Sequence, residues 1–199
     1  MDDVSNLASV SAVILAGGAS SRMSGNDKAL LCYQGESFLA RLSKELSCCG
    51  EVLVSVDRHN RYPNFRMEEI VDVRQNCGPL SGVCTVLQKC RFPLLLTVPC
   101  DLPLYKINLA FRLLQAYTPE ADAVVVRDRF NAIHPLCALY AKSALPVLQE
   151  QLERGNYRMR DALEAIKTTF IVADYQEMRM LQNVNTPQDF QFLMDTGLG

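Results

Sequence analysis

The chain has neither an excess of one charge nor a long hydrophobic run. Its 199 residues carry 20 Lys and Arg against 22 Asp and Glu, so nothing favours nonspecific attraction to nucleic acid or membranes. No apolar run approaches the roughly 18 residues of a membrane-spanning helix, and the start MDDVSNLASV lacks the basic residues of a secretion signal. We therefore expect a cytoplasmic protein without nucleic-acid or membrane partners, in which local cations hold any anionic ligand.

The eight cysteines lack the spacing of a metal site. None forms a Cys-x-x-Cys pair, and the adjacent Cys48 and Cys49 suit neither zinc binding nor a disulfide with each other. Cys84, Cys100 and Cys137 lie in apolar runs, where a thiol packs as a small hydrophobic group. The cysteines are therefore predicted to be buried thiols, in preference to a metal or redox role.

Apolar runs alternate with helical patterns along the chain. Strands are predicted at residues 13–16, 51–57, 94–98, 123–126, 134–140, 169–172 and around Ile70. Helices are predicted after the N-cap residues Ser37 and Thr186, after Pro79, and over residues 107–117, 144–152 and 160–166. Because the strands lack a polar face, we expect a mostly parallel sheet covered on both sides. The prediction is one three-layer α/β/α Rossmann-like domain over residues 1–199, with no repeat or linker.

The stretch VSAVILAGGASSRMSGNDK (residues 10–28) organises the predicted domain. Its strand ends at Gly17 and Gly18, which let the backbone approach a ligand, and successive N–H groups there form a nest for anions. Arg22 and Lys28 follow as cations. The pattern is neither the P-loop nor the Gly-x-Gly-x-x-Gly of dinucleotide binding. It is therefore either an ordinary glycine turn or a loop that holds a phosphate chain.

Two acidic residues follow other predicted strands, where an open α/β sheet binds its ligands. These are Asp72 and Asp101, and Asp101 lies in the sequence PCDLP directly after a buried strand. Mg²⁺ is commonly held by one or two carboxylates plus substrate phosphates. The alternative is that Asp101 caps the helix that begins near Lys106. The phosphate-type loop favours the metal.

Six motifs occur in the order and approximate spacing of the molybdenum cofactor guanylyltransferases, which the chain resembles over nearly its whole length. They are LAGG-x-S-x-RM from Leu15, then Lys28, GPLSG from Gly78, PCDLP from Pro99, His134-Pro135 and NVNTP from Asn183. The first motif and the Asp motif are shared with cytidylyltransferase relatives. GPLSG and NVNTP are more particular to the guanylyltransferases.

This resemblance implies a nucleotidyltransferase that moves GMP from GTP to the terminal phosphate of molybdenum-molybdopterin and releases pyrophosphate. It implies Mg²⁺ as cofactor, GTP and molybdopterin as partners, and proteins of cofactor synthesis and molybdoenzyme maturation as further candidate partners. A nucleotide half would span about residues 10–105 and an acceptor half about 106–199. The implied site residues are Arg22, Lys28 and Asp101 for catalysis, Asp101 for the metal, Leu15, Ala16, Gly17, Gly18, Lys28, Ser55, Asp72, Pro79, Leu80 and Asp101 for the nucleotide, and His134, Arg158, Asn183 and Asn185 for the pterin.

Two departures from the family pattern leave alternatives open. Ser24 stands where the family usually has Gly, and Ser55 where relatives often have an Asn that holds the nucleoside. Base selectivity is therefore in question, and a related cytidylyltransferase is the alternative enzyme. A non-catalytic nucleotide-binding protein is a third possibility, against which the joint retention of Arg22, Lys28 and Asp101 argues.

The pterin-side residues have structural alternatives of their own. His134 could be a structural histidine, and the two Asn residues could be turn residues before a capped helix. Arg158 could belong to a solvated face.

Overall fold

The computed structural model describes residues 6–17, 27–74 and 77–197. Within these ranges a seven-stranded sheet has the order β5-β4-β1-β6-β8-β7-β9, and a separate hairpin pairs β2 with β3. The strands are β1 (Val10–Leu15), β2 (Cys32–Tyr33), β3 (Glu36–Ser37), β4 (Glu51–Val56), β5 (Glu68–Val71), β6 (Leu94–Pro99), β7 (Ala123–Arg127), β8 (Ile133–Ala141) and β9 (Thr168–Val172).

The sheet is mostly parallel, as predicted. β1 pairs in parallel with β4 and β6, β4 with β5, and β7 with β9, whereas β8 runs antiparallel to both β6 and β7. Because β8 runs antiparallel to both of its neighbours, β6 and β7 point in the same direction. β9 is parallel to β7 and therefore points that way too. The carboxyl ends of β1, β4, β5, β6, β7 and β9 therefore lie at one edge of the sheet.

Helices cover both faces of the sheet. They are α1 (Phe38–Glu45), α2 (Gly78–Lys89), α3 (Asn108–Ala116), α4 (Leu145–Glu153), α5 (Met159–Ala165), α6 (Tyr175–Met180) and α7 (Pro187–Thr196) among the described residues. One core cluster joins α1, α3 and α6 to the sheet, and the other joins α2, α4 and α5. β1 serves both, because Ala12 and Ile14 face the first cluster while Val13 and Leu15 face the second. The predicted three-layer α/β/α fold is confirmed.

The predicted helix starts follow local capping chemistry. The Ser37 side chain accepts a hydrogen bond from the backbone N–H of Ala40. Thr186 forms a capping box with Asp189, and Pro187 occupies the first turn of α7. Pro79 lies in the first turn of α2. The sequence-based starts of these three helices are therefore confirmed.

Two short elements were not predicted. The β2–β3 hairpin turns at Gln34 and Gly35, which have φ values of 52° and 81°, the left-handed conformation of a two-residue hairpin turn. Strands of two residues are too short to show the alternation from which a strand is predicted. Helix α6 has six residues and begins with a capping box from Asp174, a length too short to establish a helical repeat.

The cysteines only partly follow the prediction. All eight lie in the described ranges and are thiols rather than disulfides. Cys84 and Cys137 are buried, and burial raises the pKa of each to about 12. Cys32 and Cys48 are exposed, so the prediction of buried thiols is wrong for these two, which lie in a two-residue strand and a turn rather than in apolar runs. Among the described helices, none is long and apolar enough to cross a membrane.

Candidate active site

A cavity of about 740 Å³ opens at the carboxyl ends of β4, β1 and β6. This is where the chain order reverses across the sheet, because β4 lies on one side of β1 and β6 on the other, and ligands of open α/β sheets bind at such a point. Its lining residues come from strand ends, the start of α2 and the turn at Lys28: Leu15, Ala16, Gly17, Asp27, Lys28, Ser55, Val56, Asp57, Arg58, Asp72, Gly78, Pro79, Gly82, Pro99, Cys100, Asp101 and Leu136.

Backbone pairing beyond the strands fixes this end of the sheet. The Ala16 N–H donates to the Ser55 carbonyl at 3.0 Å, and the Cys100 N–H donates to the Leu15 carbonyl at 3.1 Å. Gly17 follows immediately. A Cβ at Gly17 would make only ordinary contacts with the protein, the nearest being 3.6 Å from the Val56 carbonyl carbon. Packing therefore leaves room for a side chain at Gly17, which lines the cavity.

Lys28 and Asp101 line the cavity and form one cluster with Asn185. The Lys28 Nζ donates to the Asn185 Oδ1 at 2.6 Å and lies 3.5 Å from the Asp101 Oδ2. The Val184 N–H donates to the Asp101 carbonyl at 2.9 Å, which holds this segment against the end of β6. Three predicted site residues from distant parts of the chain thus form one cluster.

Asp101 carries an unsatisfied oxygen. Its Oδ1 is buried and has no hydrogen-bond partner within residues 6–17, 27–74 and 77–197. Burial raises the pKa of Asp101, and Lys28 opposes that shift. A buried polar atom without a partner requires an explanation, and a hard cation coordinated to the carboxylate would supply the missing interaction. The residues present therefore fit Mg²⁺.

The same region holds too few protein ligands for a closed metal site. No group of three or more His, Cys, Asp or Glu side chains in the described part of the chain could hold a metal. Mg²⁺ in nucleotide enzymes usually takes one or two carboxylates and completes its shell with phosphates and water. The site therefore suits a metal that arrives with a phosphate-bearing substrate.

The alternative role for Asp101 is contradicted. Helix α3 begins at Asn108, and it has no side-chain cap from its N-cap residue Ile107. Instead, the Ile107 N–H donates to the Glu45 Oε2 at 3.1 Å, and Lys106 pairs with the same carboxylate. Glu45 therefore serves the start of this helix, and Asp101 is left to the cavity.

Sequence reasoning missed a network that anchors Lys28. The Asp27 carboxylate accepts from the Ala29 N–H at 3.1 Å and so caps the 3-10 turn Lys28–Leu30. The same carboxylate accepts from the Tyr62 hydroxyl at 3.0 Å and from Arg61 Nε at 3.0 Å. Arg61 also pairs with Asp57 at 2.6 Å. The network ties the turn before Lys28 to the loop after β4, and its one local signal is an Asp in front of a helical turn.

Asp72 is held with one oxygen engaged. Its Oδ1 accepts from the Ser81 hydroxyl, from the Thr85 hydroxyl at 3.3 Å and from the Arg74 N–H at 3.1 Å. The Oδ2 faces Gly82, where an added Cβ would lie 3.9 Å from it. Asp72 thus presents mainly a single acceptor oxygen to the cavity.

Gly82 lets α2 pack closely on β4. A Cβ at this position would lie 3.1 Å from the Ser55 Oγ, closer than most real contacts. Ser55 is 3% exposed, yet it belongs to the cavity lining. Ser55 therefore lies under the start of α2.

The other predicted nucleotide residues divide into three groups. Leu15, Ala16, Gly17 and Pro79 line the cavity. The Leu80 side chain is fully buried in the core with α2, so it does not line the cavity. Gly18 lies outside the described residues, as do the predicted catalytic residue Arg22 and Ser24.

The four predicted pterin residues do not form one cluster. Asn185 contacts Lys28, and Asn183 is exposed two residues earlier. Arg158 is exposed and follows Tyr157, whose carbonyl would lie 3.6 Å from a Cβ at Gly78. His134 lines a different cavity, beside Asp128.

The thiol nearest the chemistry is unsuited to act as a nucleophile. Cys100 lines the cavity next to Asp101. Burial, and to a smaller extent the charge of Asp101, raises the pKa of this thiol to about 12. Because the thiolate is the reactive form, the site is arranged for charge and position rather than for covalent catalysis.

The fold and the position of this cavity are typical of a class of proteins, the α/β enzymes that bind a nucleotide at the switch point of the sheet. Comparison with known proteins points to the same class. Residues 12–169 match the family described as the MobA-like NTP transferase domain. The molybdenum cofactor guanylyltransferase of Shewanella halifaxensis is 32% identical over 94% of this chain and 94% of its own length.

Solved structures share the fold. Molybdopterin-guanine dinucleotide biosynthesis protein A from Archaeoglobus fulgidus has a TM-score of 0.82 at 19% identity, covering 94% of this chain and 98% of its own. The 2-C-methyl-D-erythritol 4-phosphate cytidylyltransferase from Thermus thermophilus has a TM-score of 0.69 at 16% identity, with 94% and 98% covered. The chain belongs to the MobA-like NTP transferase family. The resemblance to the molybdenum cofactor guanylyltransferases and the expectation of a nucleotidyltransferase are confirmed.

Proposed function

We propose that this enzyme transfers GMP from GTP to the terminal phosphate of molybdenum-molybdopterin, giving the guanine dinucleotide cofactor and pyrophosphate. One observation carries the chemistry: Lys28, Asp101 and Asn185 meet beside the bare backbone of Gly17, and Asp101 keeps a buried oxygen without a partner. The choice of guanine and of the molybdenum pterin rests on the relatives named above.

The nucleotide fits the first cavity with its phosphates toward Lys28. Helix α2 begins at Gly78 and Pro79 in the cavity lining, and the N-terminus of a helix favours negative charge. The Asp72 Oδ2 offers one acceptor for a donor of the nucleoside. Arg22, which precedes the described turn, is the further cation proposed for the phosphate chain.

The acceptor phosphate is ionised at neutral pH, so the reaction needs no strong general base. Catalysis then consists of holding the two phosphates in line and stabilising the charge that develops on the leaving pyrophosphate. Lys28 would bind that charge, and Asn185 would keep the Lys28 ammonium directed into the cavity. Asp101 would hold Mg²⁺, which supplies charge neutralisation at the α-phosphate when bound.

The alternative of a non-catalytic nucleotide-binding protein fits the geometry less well. Binding a nucleotide does not require a carboxylate buried beside a lysine with one oxygen unsatisfied, because this arrangement costs desolvation energy. In a metal-dependent reaction, the same buried carboxylate would bind the cation.

A cytidylyltransferase is the second candidate function. The hydrogen bonding of Asp72 supports this alternative. A guanine with two N–H donors would use both oxygens of a carboxylate, but the Asp72 Oδ1 already accepts from three donors. Together with Ser55, this leaves the base to be selected by other contacts.

A thermal-shift comparison of GTP, CTP, ATP and UTP, each with and without Mg²⁺, tests the proposal. A ligand that binds only the folded state stabilises it by mass action, so GTP with Mg²⁺ should raise the melting temperature most. A larger shift with CTP would replace the guanylyl assignment with the cytidylyl one. If the melting-temperature shifts are the same with and without Mg²⁺ and no pyrophosphate is released, the result would favour a non-catalytic nucleotide-binding protein.

A further inference from the structure

The segment that completes the Lys28 cluster follows the part of the chain that matches the family. The match covers residues 12–169, whereas Asn185 and helix α7 come later. Neither is part of the lining of the first cavity, yet the Asn185 Oδ1 accepts a hydrogen bond from the Lys28 Nζ at 2.6 Å. A cation of the cavity is therefore held by a segment outside the cavity lining.

Among the described residues, Asn185 holds the Lys28 ammonium more closely than Asp101 does. The Lys28 Nζ lies 2.6 Å from the Asn185 Oδ1 but 3.5 Å from the Asp101 Oδ2. The second distance is long for a hydrogen bond, so Asn185 keeps the ammonium from pairing fully with Asp101. The cation and the carboxylate therefore stay available to separate partners.

Backbone hydrogen bonds fix the chain on both sides of the Asn185 side chain. The Val184 N–H donates to the Asp101 carbonyl at 2.9 Å. The next two N–H groups, of Asn185 and Thr186, donate to the Asp189 Oδ2 at 2.9 and 2.8 Å. Because three successive N–H groups are engaged, the backbone at Asn185 is held in one place.

The hydrogen bond from Asn185 to Asp189 is additional to the helix cap. In a capping box, the N-cap residue and the residue three positions later exchange two hydrogen bonds. Thr186 and Asp189 exchange them at 3.2 and 2.8 Å. The Asn185 N–H is a further donor that precedes the helix, and the cap would be complete without it.

Charge favours the same arrangement. The hydrogen bond from the Asn185 N–H lowers the pKa of Asp189, and the charge of Lys28 lowers it further. A carboxyl group with a lowered pKa is ionised at neutral pH, and an ionised acceptor makes the stronger hydrogen bonds. Asp189 is therefore a charged anchor for the Asn185 backbone.

A small core cluster joins the start of α7 to the turn that carries Lys28. It consists of Tyr33, Phe38, Leu104, Val184 and Leu193, with Leu31 and Phe190 packed against it. Leu31 follows the Lys28 turn directly, and its carbonyl accepts from the Phe38 N–H at 2.9 Å. The ring centroids of Phe38 and Phe190 lie 6.2 Å apart, a normal distance for an aromatic pair. Both partners of the bond between Lys28 and Asn185 are therefore attached to one cluster.

We propose that Asp189 is a positioning residue for the Lys28 ammonium and acts through Asn185. By fixing the Asn185 backbone, it directs the Oδ1 of that residue at Lys28 and holds the ammonium where the outer phosphates of the nucleotide would bind. Without this anchor the ammonium can pair with Asp101, and the two charges needed for nucleotide and metal then neutralise each other. The inference rests on the proposed function.

Calorimetric titration of the full chain with GTP and with GMP, at a fixed Mg²⁺ concentration, tests this role. Asp189→Ala removes the acceptor for two backbone N–H groups. The net strength of one hydrogen bond corresponds to about a two- to tenfold change in affinity, so GTP should bind more weakly by that factor. GMP lacks the outer phosphates and should bind as it does to the wild type.

A double-mutant cycle distinguishes positioning from a general loss of structure. If the effect of Asp189 passes through Lys28, Asp189→Ala should cause no further loss of GTP affinity in the Lys28→Ala background. The matched control is Asp174→Ala, which removes the side-chain cap of the capping box that begins α6. It should lower the melting temperature and leave the affinity for GTP unchanged.

Asp189→Asn guards against misfolding, because it keeps the size of the side chain and a neutral acceptor oxygen. It should lose part of the GTP affinity. Equal losses for GTP and GMP, an undiminished loss in the Lys28→Ala background, or wild-type GTP affinity in both Asp189 variants would overturn the proposed role. Failure of the wild type to bind GTP would count instead against GMP transfer.

Discussion

The first cavity, at Lys28, and the second, beside His134, lie at the same sheet edge but are built differently. The first consists largely of strand ends, bare backbone and charged groups held by networks, such as Asp27 with Arg61 and Asp72 with Ser81. The second consists of side chains from a six-residue helix and the turn before β8. A site made of backbone at strand ends requires particular residues in a row and leaves a motif. A site made of dispersed side chains does not.

The difference also extends to charge. The acids Asp27, Asp57, Asp72 and Asp101 line the first cavity with the cations Lys28 and Arg58, and Arg61 pairs with Asp27 and Asp57. In the second cavity, Asp128 and Arg179 accompany a histidine and apolar groups. The charged groups proposed for the chemistry therefore lie in the first cavity.

The largest expected effect comes from Asp101→Asn. Burial raises the pKa of Asp101, and a carboxyl group whose pKa is higher in the folded state opposes folding once the pH rises through that pKa. The variant should therefore keep or slightly raise the melting temperature at neutral pH. Its turnover should fall by several orders of magnitude, because a hard cation prefers the charged oxygen.

Pyrophosphate release at saturating substrates measures this effect, with recovery sought at high Mg²⁺. Asp195→Asn, on the exposed face of α7, is the control. Activity of the Asp101 variant within tenfold of the wild type would remove Asp101 from the catalytic site.

The next effect is that of Lys28→Ala on nucleotide binding. Hydrogen bonds to charged groups are worth roughly 1.5–3 kcal/mol, so GTP should bind about ten- to a hundredfold more weakly. GMP should lose much less, because it lacks the β- and γ-phosphates. Calorimetric titration of both nucleotides checks this, with Lys89→Ala at the exposed end of α2 as control. Equal losses for GTP and GMP would place Lys28 away from the outer phosphates.

A smaller effect tests whether the Asp27 network organises the first cavity in advance. Tyr62→Phe removes a hydroxyl that donates to the Asp27 carboxylate and leaves the buried ring in place. We expect a stability loss of roughly 1–2 kcal/mol and a few-fold rise in the KM for GTP, with little change for the acceptor. Chemical denaturation and steady-state kinetics measure the two parts, and Tyr117→Phe serves as control. An equal change in both KM values would mean that the network supports the fold in general.

The smallest effect concerns pH and the second cavity. Burial lowers the pKa of His134, and Asp128 opposes the shift. A histidine with a lowered pKa contributes stability above its ordinary value of about 6.5 and loses it as the pH falls through the folded-state pKa. Between about pH 7.5 and 5, the melting temperature of the wild type should therefore fall by more than that of His134→Gln.

The charged groups that line the cavity with His134 are Asp128 and Arg179. His59→Gln, at an exposed turn, should keep the pH dependence of the wild type. If the melting temperatures of the wild type and His134→Gln change in parallel with pH, the burial of His134 does not affect the pH dependence of stability.

The sequence by itself determined the elements and the position of the chemistry along the chain. Apolar strands without a polar face required a sheet covered on both sides, and Ser37, Thr186 and Pro79 marked helix starts through local capping chemistry. Asp101 was predicted at the sheet rim because it closely follows a buried strand, and in the structure β6 ends at Pro99. These features depend on neighbours within a few residues, which a sequence displays directly.

Only the tertiary structure decided which distant residues meet. Lys28 and Asn185 are 157 positions apart. No sequence pattern predicted that Asp27 binds Arg61 and Tyr62, or that α6 lines a second cavity. Such contacts follow from the order of strands and the reversal at β8, which depend on the packing of the whole sheet. The raised pKa of Asp101 has the same origin, because burial is a property of the assembled core rather than of the residues beside it in the chain.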